Sequence, residues 1–140
     1  MKLVDVNLWL AITWAEHVHN QPAKDWFDQE DDDLAFCRVT RMGLLRMLTN
    51  PAVLGAEALS RRRAWEVFGA LTLDPRMHFL SEPQGLDALW MAFSKRDDSS
   101  HKLWTDDYLA AFAQAGNLDV ATLDRGFLKR YPSVHVVSLL

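Results

Sequence analysis

Lys2-Leu3-Val4-Asp5-Val6-Asn7 places an aspartate where a short apolar strand should end. Asn7 can then cap a helix that begins Leu8-Trp9-Leu10-Ala11-Ile12. An ionised carboxylate at the edge of an apolar core is costly unless something positive pairs with it. Two more acids occupy comparable positions far downstream. Asp106 lies in Trp104-Thr105-Asp106-Asp107-Tyr108-Leu109-Ala110-Ala111, and Asp124 in Val120-Ala121-Thr122-Leu123-Asp124-Arg125.

The remaining segments alternate in period. His17 to Glu30 reads as a helix with Ala23, Trp26 and Phe27 inward, and Pro22 near its start. Glu30-Asp31-Asp32-Asp33 turns the chain as a solvated loop. Leu34 to Val39 reads as a strand, and Thr40 opens a helix that stops near Asn50-Pro51. A longer helix is expected from about Gly55 to Thr72, with Ala58, Trp65, Phe68 and Leu71 on its inner face. His78-Phe79-Leu80 is a weak strand. Ser81 can cap a helix whose Leu86, Leu89, Trp90 and Phe93 form an apolar stripe. After a polar loop from Lys95 to Lys102, a helix runs from about Thr105 to Ala115 and is stopped by Gly116-Asn117. Leu118 to Leu123 and Val134 to Val137 complete the strands.

Strands alternating with helices predict one α/β domain over residues 1–140, with a central, mostly parallel sheet flanked by helices in three layers. Ligands of such sheets collect beyond the carboxyl ends of strands. Asp5 and Asp124 sit at such ends, and Asp106 sits in a first helical turn, where the dipole favours an anion. Three acids that can converge point to a divalent cation and to phosphodiester chemistry. Asp107 is about 100° round the helix from Asp106, so the two should not share one site.

Composition narrows the alternatives. A net charge of −4 argues against a protein that coats nucleic acid, but not against a nuclease whose acids hold a metal. Cys37 is the only cysteine, so no internal disulfide forms and a buried apolar role is expected. No apolar run approaches the roughly 20 residues of a membrane span, and the start of the chain lacks a signal-peptide layout, so a cytoplasmic location is expected. His17 and His19, two apart, would not face one another on a helix, and no zinc set is complete. No Gly-rich phosphate loop or serine-hydrolase elbow is present. A phosphoacceptor receiver domain would need a lysine on a later strand, and none stands there.

Four stretches together resemble the PIN-domain nucleases, in particular the VapC toxins of type II toxin–antitoxin systems. They are Val4-Asp5-Val6-Asn7 with its apolar helix, Thr40-Arg41-Met42-Gly43-Leu44-Leu45-Arg46, Asp106-Asp107-Tyr108-Leu109-Ala110-Ala111, and Ala121-Thr122-Leu123-Asp124-Arg125-Gly126-Phe127. They stand in the family's order across nearly the whole chain. The resemblance implies Mg²⁺- or Mn²⁺-dependent cleavage of RNA, with Asp5, Asp106 and Asp124 as catalytic acids and metal ligands. It also implies a cognate antitoxin that covers the acidic cleft, and a homodimer.

Three further residues are expected near the acids. Thr40 either hydrogen-bonds a carboxylate or a metal-bound water, or caps its helix. Arg46 clamps phosphate, neutralises crowded carboxylates, or stays on the surface. Arg125 is expected to reach phosphate or support the carboxylates, and Arg61-Arg62-Arg63 reads chiefly as a solvated helix face. The chain departs from the family pattern twice. Gly43 stands where many PIN domains carry glutamate, and Gly126 replaces an acid that often precedes the phenylalanine. One well-held ion is therefore expected, with a second arriving with substrate. The alternatives are a PIN nuclease of RNA processing with no toxin role, and a catalytically weak PIN fold that serves as a binding module.

Overall fold

The computed structural model describes residues 1–140. Its sheet has five strands, β1 (Lys2–Val4), β2 (Leu34–Phe36), β3 (Met77–Phe79), β4 (Asp119–Thr122) and β5 (Val136–Ser138). Their spatial order is β3-β2-β1-β4-β5, and every pair is parallel. Parallel neighbours require crossovers, which the helices supply. These are α1 (Val6–Thr13), α2 (Asn20–Gln29), α3 (Arg38–Leu48), α4 (Pro51–Leu54), α5 (Arg61–Leu71), α6 (Leu86–Ser94), α7 (Trp104–Gly116) and α8 (Phe127–Arg130).

Both faces of the sheet are buried, and the period of two decides which residue faces which core. Val4, Leu34, Phe36 and Ala121 enter one core, with Trp9, Leu44 and Phe68 from α1, α3 and α5. Leu3, Ala35 and Val120 enter the other, with Leu109, Phe112 and Leu86 from α7 and α6. Trp9 stacks on Phe36 with ring centroids 4.3 Å apart. The chain lays β2 and β3 on one side of β1, then β4 and β5 on the other. The crevice between the ends of β1 and β4 is thus the point where strand order reverses, the usual ligand position of an open parallel sheet.

Several boundaries differ from the sequence reading, each for a local reason. Asp5, not Asn7, caps α1, because its carboxylate accepts from the Val6 amide at 2.7 Å. β2 stops at Phe36 because Cys37 is already the N-cap of α3. Gly55, at φ 60°, ends α4 and leads into a short 3₁₀ turn, so no single helix spans Gly55 to Thr72. Ser60 then caps α5 by accepting from the Arg63 amide. The shifted start buries Ala64 and Phe68 and leaves Trp65 53% exposed, not inward as the spacing implied. Gly85, at φ 85°, rather than Ser81, precedes α6. His17 and His19 lie before α2 in a turn where the His19 amide donates to His17 Nδ1. The acidic run is only partly solvated, since Lys2 pairs with Glu30 at 3.2 Å and Asp32 at 3.1 Å.

Arg76 ties the end of α2 to the edge strand β3. Its guanidinium donates to the carbonyls of Phe27 at 2.7 Å and Glu30 at 2.6 Å, and pairs with Asp74 at 2.7 Å. Arg76→Met leaves two carbonyls without their partner and should cost about 2 kcal/mol in urea unfolding at pH 7. The Arg76 hydrogen bonds hold the Asp74 carboxyl at about 2. A depressed acid stabilises above its unfolded value near 4 and loses that contribution as pH falls through about 2. The gap between wild type and Arg76→Met should therefore narrow on acidification; equal stability at pH 7 would contradict the tie.

Candidate active site

Asp5 follows β1 directly and is only 6% exposed. Its Oδ1 accepts from the Val6 amide, and its Oδ2 accepts from the Thr122 hydroxyl at 2.9 Å. Thr122 closes β4 and in turn accepts from the Asp124 amide at 3.0 Å. One buried hydroxyl therefore couples the acid after β1 to the loop after β4. Asp124 Oδ1 accepts from the Gly126 amide at 2.8 Å, which folds that loop back toward the sheet.

Asp106 arrives from the first turn of α7. The Arg130 guanidinium joins it to Asp124, with Nη2 donating to Asp106 Oδ2 at 2.9 Å and to Asp124 Oδ2 at 2.5 Å. Asp107 turns away and accepts from the buried Tyr131 hydroxyl. The helical angle between adjacent residues thus sends one acid to the cleft and the other into the second core. Asp5 and Asp106 line an open cleft of about 620 Å³ together with Gly43, Arg46 and Met47 of α3, Asn7 and Thr105.

The electrostatics follow from this crowding. Burial pushes the Asp5 carboxyl up, and the Thr122 and Val6 hydrogen bonds only partly offset it. Asp106 is pushed to about 6, first by burial and then by Asp5, while Arg130 pulls the other way. Burial also raises Asp124, but the Arg130 and Gly126 hydrogen bonds outweigh it and leave this carboxyl below its usual range. Only oxygen donors are present, which suits a hard divalent cation better than a soft one. As the side chains stand, no three acidic, imidazole or thiol groups converge tightly enough to hold a metal ion. Arg130 instead occupies the space between two of the acids. Asp5 and Asp106 remain facing the cleft, and two carboxylates with added water suffice for Mg²⁺.

The structure gathers Asp5, Asp106, Asp124 and Arg46 around this crevice. It does not bring Thr40 there. The Thr40 hydroxyl is buried against Cys37, accepting from its amide at 3.0 Å and donating to its carbonyl at 3.2 Å, so the helix-capping role is the one realised. Nor does Arg125 join the acids: it is exposed and makes no ion pair, because the turn after Asp124 points it outward. The base that reaches them is Arg130, one turn of α8 later. Thr122 and Arg130 were not singled out from sequence. The signal for Thr122 was a hydroxyl two residues before a strand-end acid. Arg130 had no local signal, because α8 was not recognised.

The two glycine departures have structural causes. A Cβ at position 43 would meet Val6 Cγ2 at 2.7 Å, so Val6 fills the space that a longer side chain would need. A Cβ at position 126 would meet Arg130 Nη1 at 2.7 Å. Gly→Ala in a helix ordinarily stabilises by about 1 kcal/mol. Gly43→Ala should instead destabilise by roughly 1–3 kcal/mol, because Val6 is stiff at χ1 in α1. Adding Val6→Ala should recover most of that loss in thermal melts, and a stabilised single variant would contradict the close approach.

Asp106 also makes a stability prediction for chelator-treated protein. Its folded value lies above the unfolded value of 3.8, so ionisation is resisted by the fold. The penalty is absent below about pH 4 and fully present above about 6. Asp106→Asn removes it and should stabilise the metal-free chain at pH 7.5 by on the order of 2 kcal/mol, a figure discounted because the side chain is 24% exposed. The gain should shrink toward pH 4. A variant less stable than wild type at pH 7.5 would contradict the charge crowding.

The PIN domain family model matches residues 2–132. Ribonuclease VapC41 of Mycobacterium tuberculosis is 41% identical over 133 residues, which cover 91% of each chain. Ribonuclease VapC29 of the same organism is 30% identical over 96% of this chain and 94% of its own. Among solved structures, M. tuberculosis VapC20, described as a sarcin–ricin loop cleaving toxin, superposes with a TM-score of 0.70 at 14% identity, covering 92% of this chain and 94% of that one. A toxin–antitoxin complex from Klebsiella pneumoniae gives 0.66 at 15% identity over 100% and 98%. At such identities these two speak to the fold alone. Taken with the acid-lined crevice and the sequence relatives, they establish that the chain belongs to the PIN-domain family, in its VapC branch.

Proposed function

We propose that this chain is a Mg²⁺-dependent endoribonuclease, with Mn²⁺ as an alternative ion, and that it acts as the toxin of a toxin–antitoxin pair. The observation that carries the reading is the meeting of Asp5, Asp106 and Asp124 at the crevice where strand order reverses, with Arg46 lining the same cleft. The relatives named ribonuclease support RNA as substrate. The match to a toxin–antitoxin complex supports a protein antitoxin as partner. A homodimer is part of the same proposal. No helix is long and apolar enough to cross a membrane, and we place the activity in the cytoplasm, where RNA is the substrate at hand.

Each residue then has a task. Asp5 and Asp106 would hold the ion, and Asp124 supports them through the Arg130 and Thr122 hydrogen bonds. A divalent ion bound there would supply Lewis-acid charge to the scissile phosphate and to its attacking water. Thr122 keeps Asp5 oriented by donating to Oδ2, a bond that favours the ionised carboxylate against the burial that opposes it. Arg46 is exposed and free of ion pairs, so its planar guanidinium is available to a phosphate.

The test uses purified chain and structured RNA. Cleavage should require Mg²⁺, vanish with EDTA, and fall at least about 100-fold in Asp5→Asn and Asp106→Asn. Arg46→Met should fall about tenfold or more. Induction of the chain alone should arrest growth, and Asp5→Asn should relieve the arrest. Cleavage indifferent to EDTA and to Asp106→Asn would contradict the metal nuclease. Metal-dependent cleavage by a chain that is harmless in cells would favour RNA processing over toxicity.

A further inference from the structure

We infer that Arg130 is a positioning residue that supplies the acidic site with a permanent positive charge of its own, so that a single divalent ion completes it. The inference rests on the metal-nuclease reading above and concerns what that reading leaves open, the number of ions. Nη2 of Arg130 bridges Asp106 Oδ2 at 2.9 Å and Asp124 Oδ2 at 2.5 Å. A guanidinium does not lose its proton in proteins, so the charge is fixed.

The surroundings are shaped to hold it. Nη1 lies where the first side-chain carbon of any residue but glycine would stand at position 126, at 2.7 Å. The guanidinium carbon sits 6.0 Å from the Phe127 ring centre and 5.8 Å from that of Tyr131. Nε is buried and has no hydrogen-bond partner. An unpaired buried N–H costs free energy, so this pose sacrifices one donor to keep Nη2 between the two acids. Any side chain at position 126 would require the end of Arg130 to shift from this pose.

Charge counting gives the same answer. Three ionised carboxylates and one guanidinium leave two negative charges, which one divalent ion neutralises. Both Asp124 oxygens already have donors, from Gly126 and Arg130, whereas Asp106 has only Oδ2 engaged. Asp5 also has a donor on each oxygen, Val6 and Thr122, but these are neutral and each oxygen keeps a second lone pair. Asp5 lines the cleft with Asp106 whereas Asp124 does not, so Asp5 and Asp106 are the acids that face an ion. Without the guanidinium the site would carry three negative charges, and Asp124 would regain a free oxygen for a second cation.

Isothermal titration of the full chain with Mn²⁺, without RNA, separates the possibilities. Wild type should bind one ion. Arg130→Met should bind two, or bind the first at least about tenfold more tightly. Arg130→Lys, which keeps the charge, should still bind one. Arg130→Gln, which also removes the charge, should behave like Arg130→Met and carries the test should Arg130→Met fail a thermal-melt check for folding. Two ions on wild type would overturn the inference. So would a single ion with a Kd changed less than about tenfold in the folded variants. If wild type binds no Mn²⁺ at millimolar concentration, the metal-nuclease reading falls and this one with it, a result distinct from either of the others.

Discussion

Like charges forced together where water is scarce are the constraint on which this molecule turns. Asp5, Asp106 and Asp124 come from three elements far apart in sequence, yet meet at the ends of β1 and β4. Left alone they would repel and pay for desolvation. The fold meets that cost with specific donors: the Val6 amide and Thr122 hydroxyl for Asp5, the Gly126 amide for Asp124, and Arg130 for Asp106 and Asp124. The residual strain remains on Asp106, pushed to about 6. Under the proposed function, a divalent cation would relieve this crowding.

Parallel topology makes this meeting possible. Every strand presents its carboxyl end at the same edge, so the acid after β1 and the loop after β4 are neighbours without any long excursion. α7 then adds Asp106 through its first turn while its remaining length fills the second core. The short strands leave little room for error. Shifting β4 by one residue against β1 would exchange Val120 and Ala121 between the two cores and take Thr122 away from Asp5.

The acids and the sheet were legible because they obey local rules. An apolar strand followed by a helix cap marks Asp5, and the angle between adjacent helical residues separates Asp106 from Asp107. Thr40 and Arg125 were assigned to the site on resemblance and on proximity in sequence, and both are diverted by their immediate surroundings, Thr40 by Cys37 and Arg125 by the turn. Thr122 and Arg130 matter through contacts between segments, which no local pattern encodes. Trp65 was misplaced because helical spacing tells which residues share a face, but not which face is covered once a glycine resets the start of the helix. The missing acids at Gly43 and Gly126 read as losses in the sequence. In the structure each position is closed by a neighbour, Val6 or Arg130.

The central claim is that these three carboxylates share one cation-binding crevice, and paramagnetic broadening tests it without assuming any activity. Amide resonances would be followed by NMR as trace Mn²⁺ is added to the isotope-labelled chain. Broadening should begin at residues 5–7, 105–107 and 122–126 and leave the other acidic stretch, Glu30-Asp31-Asp32-Asp33, sharp. Broadening centred on that stretch, or spread evenly over the surface, would contradict the account.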